Sequence, residues 1–347
     1  MSEPLVTVEG LTKHYVERDS VLDTLLRRES RVVRAVDGVS FDIDPGETLA
    51  LVGESGCGKS TTGETLLSLR DPTDGSVTFD GEPVFGREDL ADFRQRTGIV
   101  FQDPFSSLDP RMTVGQIVRE PLDINGVGTP EERRERVRSL LERVGLAEEH
   151  VDRYPHEFSG GQQQRVGIAR ALALEPDFVV LDEPVSALDV SVQAQILELL
   201  DELQADLGLT YLFIAHDLAV VRYVADRVAV MYLGEIVERG PVEAIFEDPA
   251  HPYTRALLDS VPKPGVAAAD REIKALPGDV PSPSDPPAGC RFHTRCPHAR
   301  EVCRERAPAD YDAGAGQKTA CFRAVEDHDY WDSEPLETEA RSRREEA

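Results

Sequence analysis

The chain has 347 residues and a formal net charge of −27, and with five lysines among 38 basic residues it relies almost wholly on arginine for positive charge. A surface that negative repels nucleic acid and anionic lipid, which speaks against DNA binding, and it suits a salt-loving host whose cytoplasm screens charge strongly. The length allows two domains with cores of their own; no run of 18 apolar residues exists to span a membrane, no basic and apolar leader follows Met1, and four of the five cysteines come late, which fits a reducing cytoplasm.

Leu5–Val8 and Val36–Ile43 alternate apolar and polar residues, as half-buried antiparallel strands do, and the charged stretch from Glu17 to Arg34 reads as a surface excursion. Tyr15 closes the first strand region with a ring able to stack on a purine base or to pack at a strand end. Thr48–Val52 is an apolar run that reads as a buried strand, and it leads into Gly53-Glu-Ser-Gly-Cys-Gly-Lys-Ser60, a match to the phosphate-cradling pattern G-x-x-x-x-G-K-[ST]. Gly53, Gly56 and Gly58 permit backbone shapes and close approaches that a Cβ would block, so successive N–H groups can face phosphate oxygens. Lys59 would reach the β- and γ-phosphates, and the Ser60 hydroxyl would ligate Mg²⁺. A helix from Thr61 to Leu69 follows, ended by Asp71-Pro72; its N-terminus adds partial positive charge.

Asp74–Val84 reads as a hairpin, and Thr97–Phe101 as a strand running into Gln102. Residues 103–157 form a helical insert: Thr129-Pro-Glu-Glu132 carries an N-cap, a first-position proline and a capping-box glutamate, and Val137, Leu140, Leu141 and Val144 share one helix face before Gly145. Phe158–Arg165 opens a helix bearing Val166, Ile168, Ala169 and Leu172. Phe178–Leu181, ending in Asp182 and Glu183, and Tyr211–Ala215, ending in His216, are apolar throughout, as strands inside a parallel sheet are. Strands alternating with helices predict an α/β, doubly wound parallel sheet with its ligand at the strands' carboxyl ends, where Gln102, Asp182, Glu183 and His216 all fall. Val228–Glu238 reads as a hairpin closing the domain; the proline-rich stretch through Pro262, Pro264, Pro277, Pro281, Pro283, Pro286 and Pro287 as a linker with little core; and the chain beyond Glu326 as a disordered acidic tail.

Ser159-Gly-Gly-Gln162 resembles the signature sequence of ATP-binding-cassette (ABC) ATPases, lying between a Walker A loop at Gly53–Ser60 and a Walker B strand at Phe178–Asp182. Tyr15 resembles the A-loop aromatic, Gln102 the Q-loop, Ser186–Asp189 the D-loop and His216 the switch histidine, so the resemblance spans roughly residues 4–262. It implies a P-loop NTPase (RecA-like) fold: a mostly parallel sheet, an antiparallel β layer and a helical subdomain, with the ATPase domain at 1–240. His251–Leu258 with Val261-Pro262, and the motif Cys290, Cys296, Cys303 and Cys321, resemble the small irregular extension (241–325) of the oligopeptide/dipeptide/nickel importer branch, in its F-type ATP-binding subunit; residues 326–347 would be the tail.

The resemblance implies that two cassettes face head to tail, each ATP clamped between one Walker A loop (Gly53, Ser55, Gly56, Cys57, Gly58, Lys59, Ser60 and Thr61, beside Tyr15) and the other chain's Ser159, Gly160, Gly161 and Gln162, near Asp189. Ser60, Gln102 and Asp182 would serve Mg²⁺, while Glu183 polarises the attacking water, His216 holds the γ-phosphate, and Gln102 and Lys59 complete the catalytic set. Implied partners are transmembrane permease subunits docked on the insert, a paralogous ATPase subunit or a second copy, and indirectly an extracellular solute-binding protein, with no nucleic acid; the expected place is peripheral, on the cytoplasmic face of the membrane. The cargo would be peptides, with nickel or oligosaccharides as alternatives. A non-transport cassette in translation or DNA repair, or an ATP-using redox protein, are rival readings. The late cysteines are separated by five, six and seventeen residues, unlike the tight pairs of zinc ribbons; four thiolates can hold a [4Fe–4S] cluster or Zn²⁺, and the motif implies the cluster. Cys57, in the phosphate loop, is expected to react with thiol reagents.

Overall fold

A computed structural model describes residues 3–17, 31–87, 89–260 and 278–338. Most of the expected excursion after Glu17, the prolines at 262, 264 and 277, and the last nine residues of the tail lie outside the described residues. The strands are β1 (Val6–Glu17), β2 (Arg31–Ile43), β3 (Thr48–Val52), β4 (Asp74–Phe79), β5 (Glu82–Pro83), β6 (Thr97–Val100), β7 (Phe178–Asp182), β8 (Thr210–Ala215), β9 (Arg227–Tyr232), β10 (Glu235–Pro241), β11 (Tyr311–Gly314) and β12 (Gln317–Thr319). The chain condenses into two compact units, Met1–Thr7 with Asp42–Leu49 and Val77–Ala215, and Val8–Phe41 with Ala50–Ser76 and His216–Ala347.

In the first unit β6, β7 and β8 run parallel, with Val180 beside Ile99 on one side and Leu212 on the other. Every residue of β7 and β8 is buried, which is why their sequences are apolar without alternation. The start of β3 is fixed to the same layer by side chains: Gln204 Nε2 donates to the Gly46 carbonyl (2.9 Å) and the Thr48 hydroxyl (3.0 Å). The expected hairpin is β4–β5, antiparallel, turning through Asp80 and Gly81 at positive φ.

The helical insert forms as its caps dictate. Thr113 and Gln116 make a capping box ahead of the Val114–Ile124 helix, which buries Val114, Ile117, Val118 and Leu122. Thr129 Oγ1 accepts from the Glu132 N–H (3.3 Å) and Glu132 Oε2 from the Thr129 N–H (2.7 Å), starting the Pro130–Arg143 helix. Val137, Leu141 and Val144 are fully buried and Leu140 partly, and Gly145 leaves the helix in the left-handed region (φ 74°).

The second unit departs from expectation. The β9–β10 hairpin forms with Leu233 (φ 45°) and Gly234 (φ 86°) at its turn, the pair of left-handed residues that matches strand twist. It does not close the sheet, because β12 pairs with the far edge of β10 (Glu238 opposite Thr319) and β11 adds beyond it. Nor is the region past Gly240 short of a core. Tyr253 and Phe292 pack with Tyr232, ring centroids 4.7–5.3 Å apart, and Val302, Cys303, Phe322 and Tyr330 form a second cluster. The expected disorder beyond Glu326 is corrected for residues 326–338: Tyr330 is buried, its hydroxyl donates to the His298 carbonyl (2.7 Å), and the Leu336 N–H donates to the Ala299 carbonyl (3.0 Å). These cores gather single aromatic and cysteine residues from a strand, short helices and turns, so no periodicity announces them.

Candidate active site

The site residues divide between the units: Tyr15, Gly53–Thr61, His216 and the late cysteines in the second, Gln102, Ser159–Gln162, Asp182, Glu183 and Asp189 in the first.

The phosphate loop turns where only glycine fits. A Cβ on Gly53 (φ 155°) would stand 2.1 Å from the Met231 carbonyl oxygen, and one on Gly58 (φ 111°) 1.9 Å from that of Ala35. Ser55 and Gly56 are exposed, and Ser60 and Thr61 half-buried in the first turn of the Lys59–Leu66 helix, whose preceding residue is Gly58. Lys59 is 5% exposed, and its ammonium donates to the carbonyls of Gly53 (2.9 Å) and Glu54 (3.2 Å). The amine is thus held across the loop by the loop's own carbonyls. Cys57 is buried and burial pushes its thiol up, an environment that disfavours the reactive thiolate and so speaks against the expected ready alkylation.

Tyr15 lies half-buried in β1, with the Lys13 ammonium 5.2 Å and the Arg70 guanidinium 5.8 Å from its ring centre. Both cations lie over the ring, a favourable cation–π arrangement. His216 is exposed immediately after β8, ahead of the Asp217 cap on the Leu218–Val224 helix.

At the end of β7, Asp182 is buried and Glu183 takes a left-handed backbone (φ 46°), which swings its carboxylate out of the strand line. The Glu183 N–H donates to the Ile214 carbonyl (3.0 Å), and its carbonyl accepts from the Ser186 hydroxyl (3.1 Å). Gln102, two residues past β6, donates from Nε2 to Glu183 Oε2 (2.9 Å). A strained backbone and a neutral amide therefore aim one carboxylate in place.

Ser159 caps the Gly160–Ala171 helix: Ser159 Oγ accepts from the Gln162 N–H (3.4 Å) and Gln162 Oε1 from the Ser159 N–H (3.1 Å). Gly161 is required by close approach, since a Cβ there would meet Val192 Cγ1 at 2.4 Å. Asp189 caps the Val190–Leu207 helix, accepting from the Ser191 hydroxyl (2.6 Å) and the Val192 N–H (3.0 Å), and these bonds hold its carboxyl below the usual range.

Cys290, Cys296, Cys303 and Cys321 line one cavity of about 20 Å³ with His293 and His298. Burial pushes all four thiols up, Cys296 to about 12 and Cys321 to about 11. Among the described residues no group of three or more His, Cys, Asp or Glu side chains stands at the spacing that holds a single metal ion.

Sequence reasoning missed Glu54, Tyr253 and Arg295. Glu54 is an unconstrained position of the phosphate-loop pattern, yet Arg295 grips it with two bonds, Nη1–Oε2 2.7 Å and Nη2–Oε1 3.0 Å, and its N–H donates to the Tyr253 hydroxyl (2.9 Å). No local signal links residues some 200 and 240 positions apart.

Comparison with known proteins places these features in context. The profile described as ABC transporter matches residues 36–186, and that described as Oligopeptide/dipeptide transporter, C-terminal region matches residues 237–303. The chain is similar to the oligopeptide transport ATP-binding protein AppF of Bacillus subtilis, with 49% identity across 92% of this chain and 97% of that one. It is also similar to the dipeptide transport ATP-binding protein DppF of Escherichia coli, with 48% identity across 94% and 96%. Among solved structures, a dimeric post-hydrolysis ATP-binding cassette bound to ADP and Pi superposes with a TM-score of 0.60 at 32% identity, covering 68% of this chain and 98% of that one.

Proposed function

The chain belongs to the ABC transporter ATPases of the oligopeptide/dipeptide importer type, and from that premise we propose how its residues divide the work of ATP hydrolysis. It is the ATP-hydrolysing subunit of a peptide importer; such cassettes work as dimers with transmembrane permease subunits, and among the described residues no helix is long and apolar enough to cross a membrane itself.

The observation that carries the catalytic reading is Glu183 at its left-handed strand end, bonded by Gln102. A water placed there would lose its proton to Glu183 as its oxygen attacks the γ-phosphorus and the bond to the β-phosphate oxygen breaks. The cradle shaped by Gly53, Gly56 and Gly58 fits triphosphate, with Lys59 turning from its loop carbonyls to the β- and γ-oxygens. Ser60, Asp182 and Gln102 carry the oxygen donors that would serve Mg²⁺, which when bound would neutralise charge developing on the phosphates. Tyr15 stacks on the base, and His216 donates to the γ-phosphate. Ser159 and the N–H groups of Gly160 and Gly161, at the start of a twelve-residue helix, present an anion site to the nucleotide on the opposite cassette, flanked by Gln162 and Asp189. In the assembled transporter, Glu183→Gln should bind MgATP normally and lower turnover by a factor of about 10²–10⁴. Turnover at the wild-type rate would refute Glu183 as the base.

The domain division follows the same reading: a cassette through residue 240 with its insert at 103–157, the cysteine-bearing extension at 241–325, and the tail. The subunit lies on the cytoplasmic face, paired with a paralogous ATPase subunit in the cell, and receives peptides delivered by an extracellular binding protein; it has no nucleic-acid partner. The surface charge of −27 supports a halophilic host, and ATPase activity should require high salt; full activity in dilute buffer would contradict that origin.

The four late thiols favour a [4Fe–4S] cluster over Zn²⁺. What supports the reading is that the four thiols of the motif share one cavity, and four thiolates are the ligand set of a [4Fe–4S] cluster. At about 20 Å³, that cavity would have to widen around a cluster, whereas a single ion would have to draw the thiols together. Bound metal would keep as thiolates groups that burial otherwise holds protonated, and would staple the extension. Anaerobically purified protein should be brown, and bleached by Cys296→Ser; a colourless preparation with stoichiometric zinc would reverse the choice.

A further inference from the structure

Glu54 is the first residue of the phosphate loop after Gly53, and both its backbone and its side chain are held by the C-terminal extension. The Arg295 guanidinium is 4% exposed and takes both carboxylate oxygens of Glu54, while Nη1 also donates to the Tyr232 hydroxyl (3.3 Å) and the group lies over the Tyr232 ring. The Glu54 N–H points to the Tyr253 hydroxyl (2.9 Å), and the Glu54 carbonyl accepts from Lys59 (3.2 Å). The far side of the loop is fixed from the same layer, the Gly234 N–H donating to the Cys57 carbonyl (2.9 Å) one turn beyond Tyr232.

Every polar group of Glu54 therefore has a partner within the protein. A carboxylate beside a triphosphate site would repel it; paired with a buried guanidinium, it instead becomes the anchor of the loop. The Tyr232, Tyr253 and Phe292 rings pack on one another beside Arg295, which is buried, while the Glu54 side chain keeps 22% of its surface exposed.

We propose that Arg295 and Tyr253 are positioning residues for ATP binding: by clamping Glu54 they hold the phosphate loop in its nucleotide-ready shape, so that the extension sets the affinity of the cassette for ATP. The inference rests on the loop being the ATP site. Unclamped, the loop samples other shapes, and apparent affinity falls by the fraction of time it is ready.

The test uses the full-length chain, with equilibrium binding of MgATP and steady-state turnover of the assembled transporter. Arg295→Met and Glu54→Gln should each raise the Kd and KM for ATP about tenfold, a readiness near one-tenth, with kcat within about twofold. Tyr253→Phe should give a smaller rise in the same direction. The double variant should bind no more weakly than the worse single variant, since both remove one interaction. The charge-swapped pair Glu54→Arg with Arg295→Glu should bind more tightly than either swap alone, which a merely destabilised fold would not do. Additive losses, unchanged affinity in Arg295→Met, or a fall in kcat at constant KM would overturn the clamp. Failure of the wild-type chain to bind MgATP would instead sink the reading of the loop itself.

Discussion

The strand end that carries Glu183 and the loop that carries Lys59 solve the same problem, holding a charged group still, by opposite means. Glu183 is held within its own unit: by its left-handed backbone, the Ser186 hydroxyl three residues on, the β8 carbonyl of Ile214 and the amide of Gln102. The phosphate loop is held by Tyr253, Arg295 and the Gly234 turn, all from the far end of the chain. The Glu183 carboxylate is held from within its own unit, whereas the loop is held by the C-terminal extension. Damage to a remote core should therefore reach ATP binding through the second unit, and damage within the helical insert should not.

The largest expected break is at Phe292, which is buried between Tyr232 and Tyr253 three residues before Arg295. Phe292→Ala should cost about 3–5 kcal/mol of stability, read as a lower thermal midpoint. It should also weaken MgATP binding, despite lying 233 positions after Lys59. Unchanged ATP affinity in a folded Phe292→Ala chain would show that the aromatic layer does not support the clamp.

A second change acts through pH. Glu238, on β10, is 1% exposed, and its Oε1 accepts from the N–H groups of Ala250 (2.5 Å) and His251 (3.1 Å) and from Gln317 Nε2 (2.7 Å), joining strand, helix and β12. Burial outweighs these donors and pushes its carboxyl from 4.5 up to about 7. A group whose folded value lies above its unfolded one gives stability that is complete below about pH 4.5 and lost as pH rises through about 7. From this residue alone the protein should be about 3 kcal/mol less stable at pH 8 than at pH 4. Glu238→Gln keeps the accepting oxygen and removes the titration, so it should stabilise at pH 8 and flatten the profile between pH 4.5 and 7. An unaltered pH slope in that variant would mean the carboxyl stays ionised throughout.

The contrast explains how much was legible before the structure. The parallel strands, the capped insert helices, the phosphate loop and the residues at the strand ends were readable because each is written over a few consecutive positions: an apolar run, a capping box, a glycine spacing. What escaped was written across distance. Arg295 looked like one more arginine between two cysteines, and Glu54 like a free position of a motif, until folding joined them. The cores around Phe292 and Tyr330 escaped for a related reason, since isolated aromatics on a strand, short helices and turns carry no period. The burial of Cys57 escaped because position in a loop says nothing of which way the side chain turns.

The smallest predicted effect tests the other side of the comparison. Thr129 caps the Pro130–Arg143 helix in the insert, with Glu132 returning the bond. Thr129→Ala leaves the Glu132 N–H without its acceptor and should cost about 1 kcal/mol. The loss should appear as faster amide exchange in the first turn of that helix, where Pro130 has no N–H and the Glu132 N–H relies on Thr129 Oγ1. Because Val137, Leu141 and Val144 keep the helix packed on its own unit, ATP affinity should stay within a factor of about two. A tenfold loss of MgATP binding in Thr129→Ala would erase the distinction, since a local cap would then reach the nucleotide as strongly as the remote arginine does.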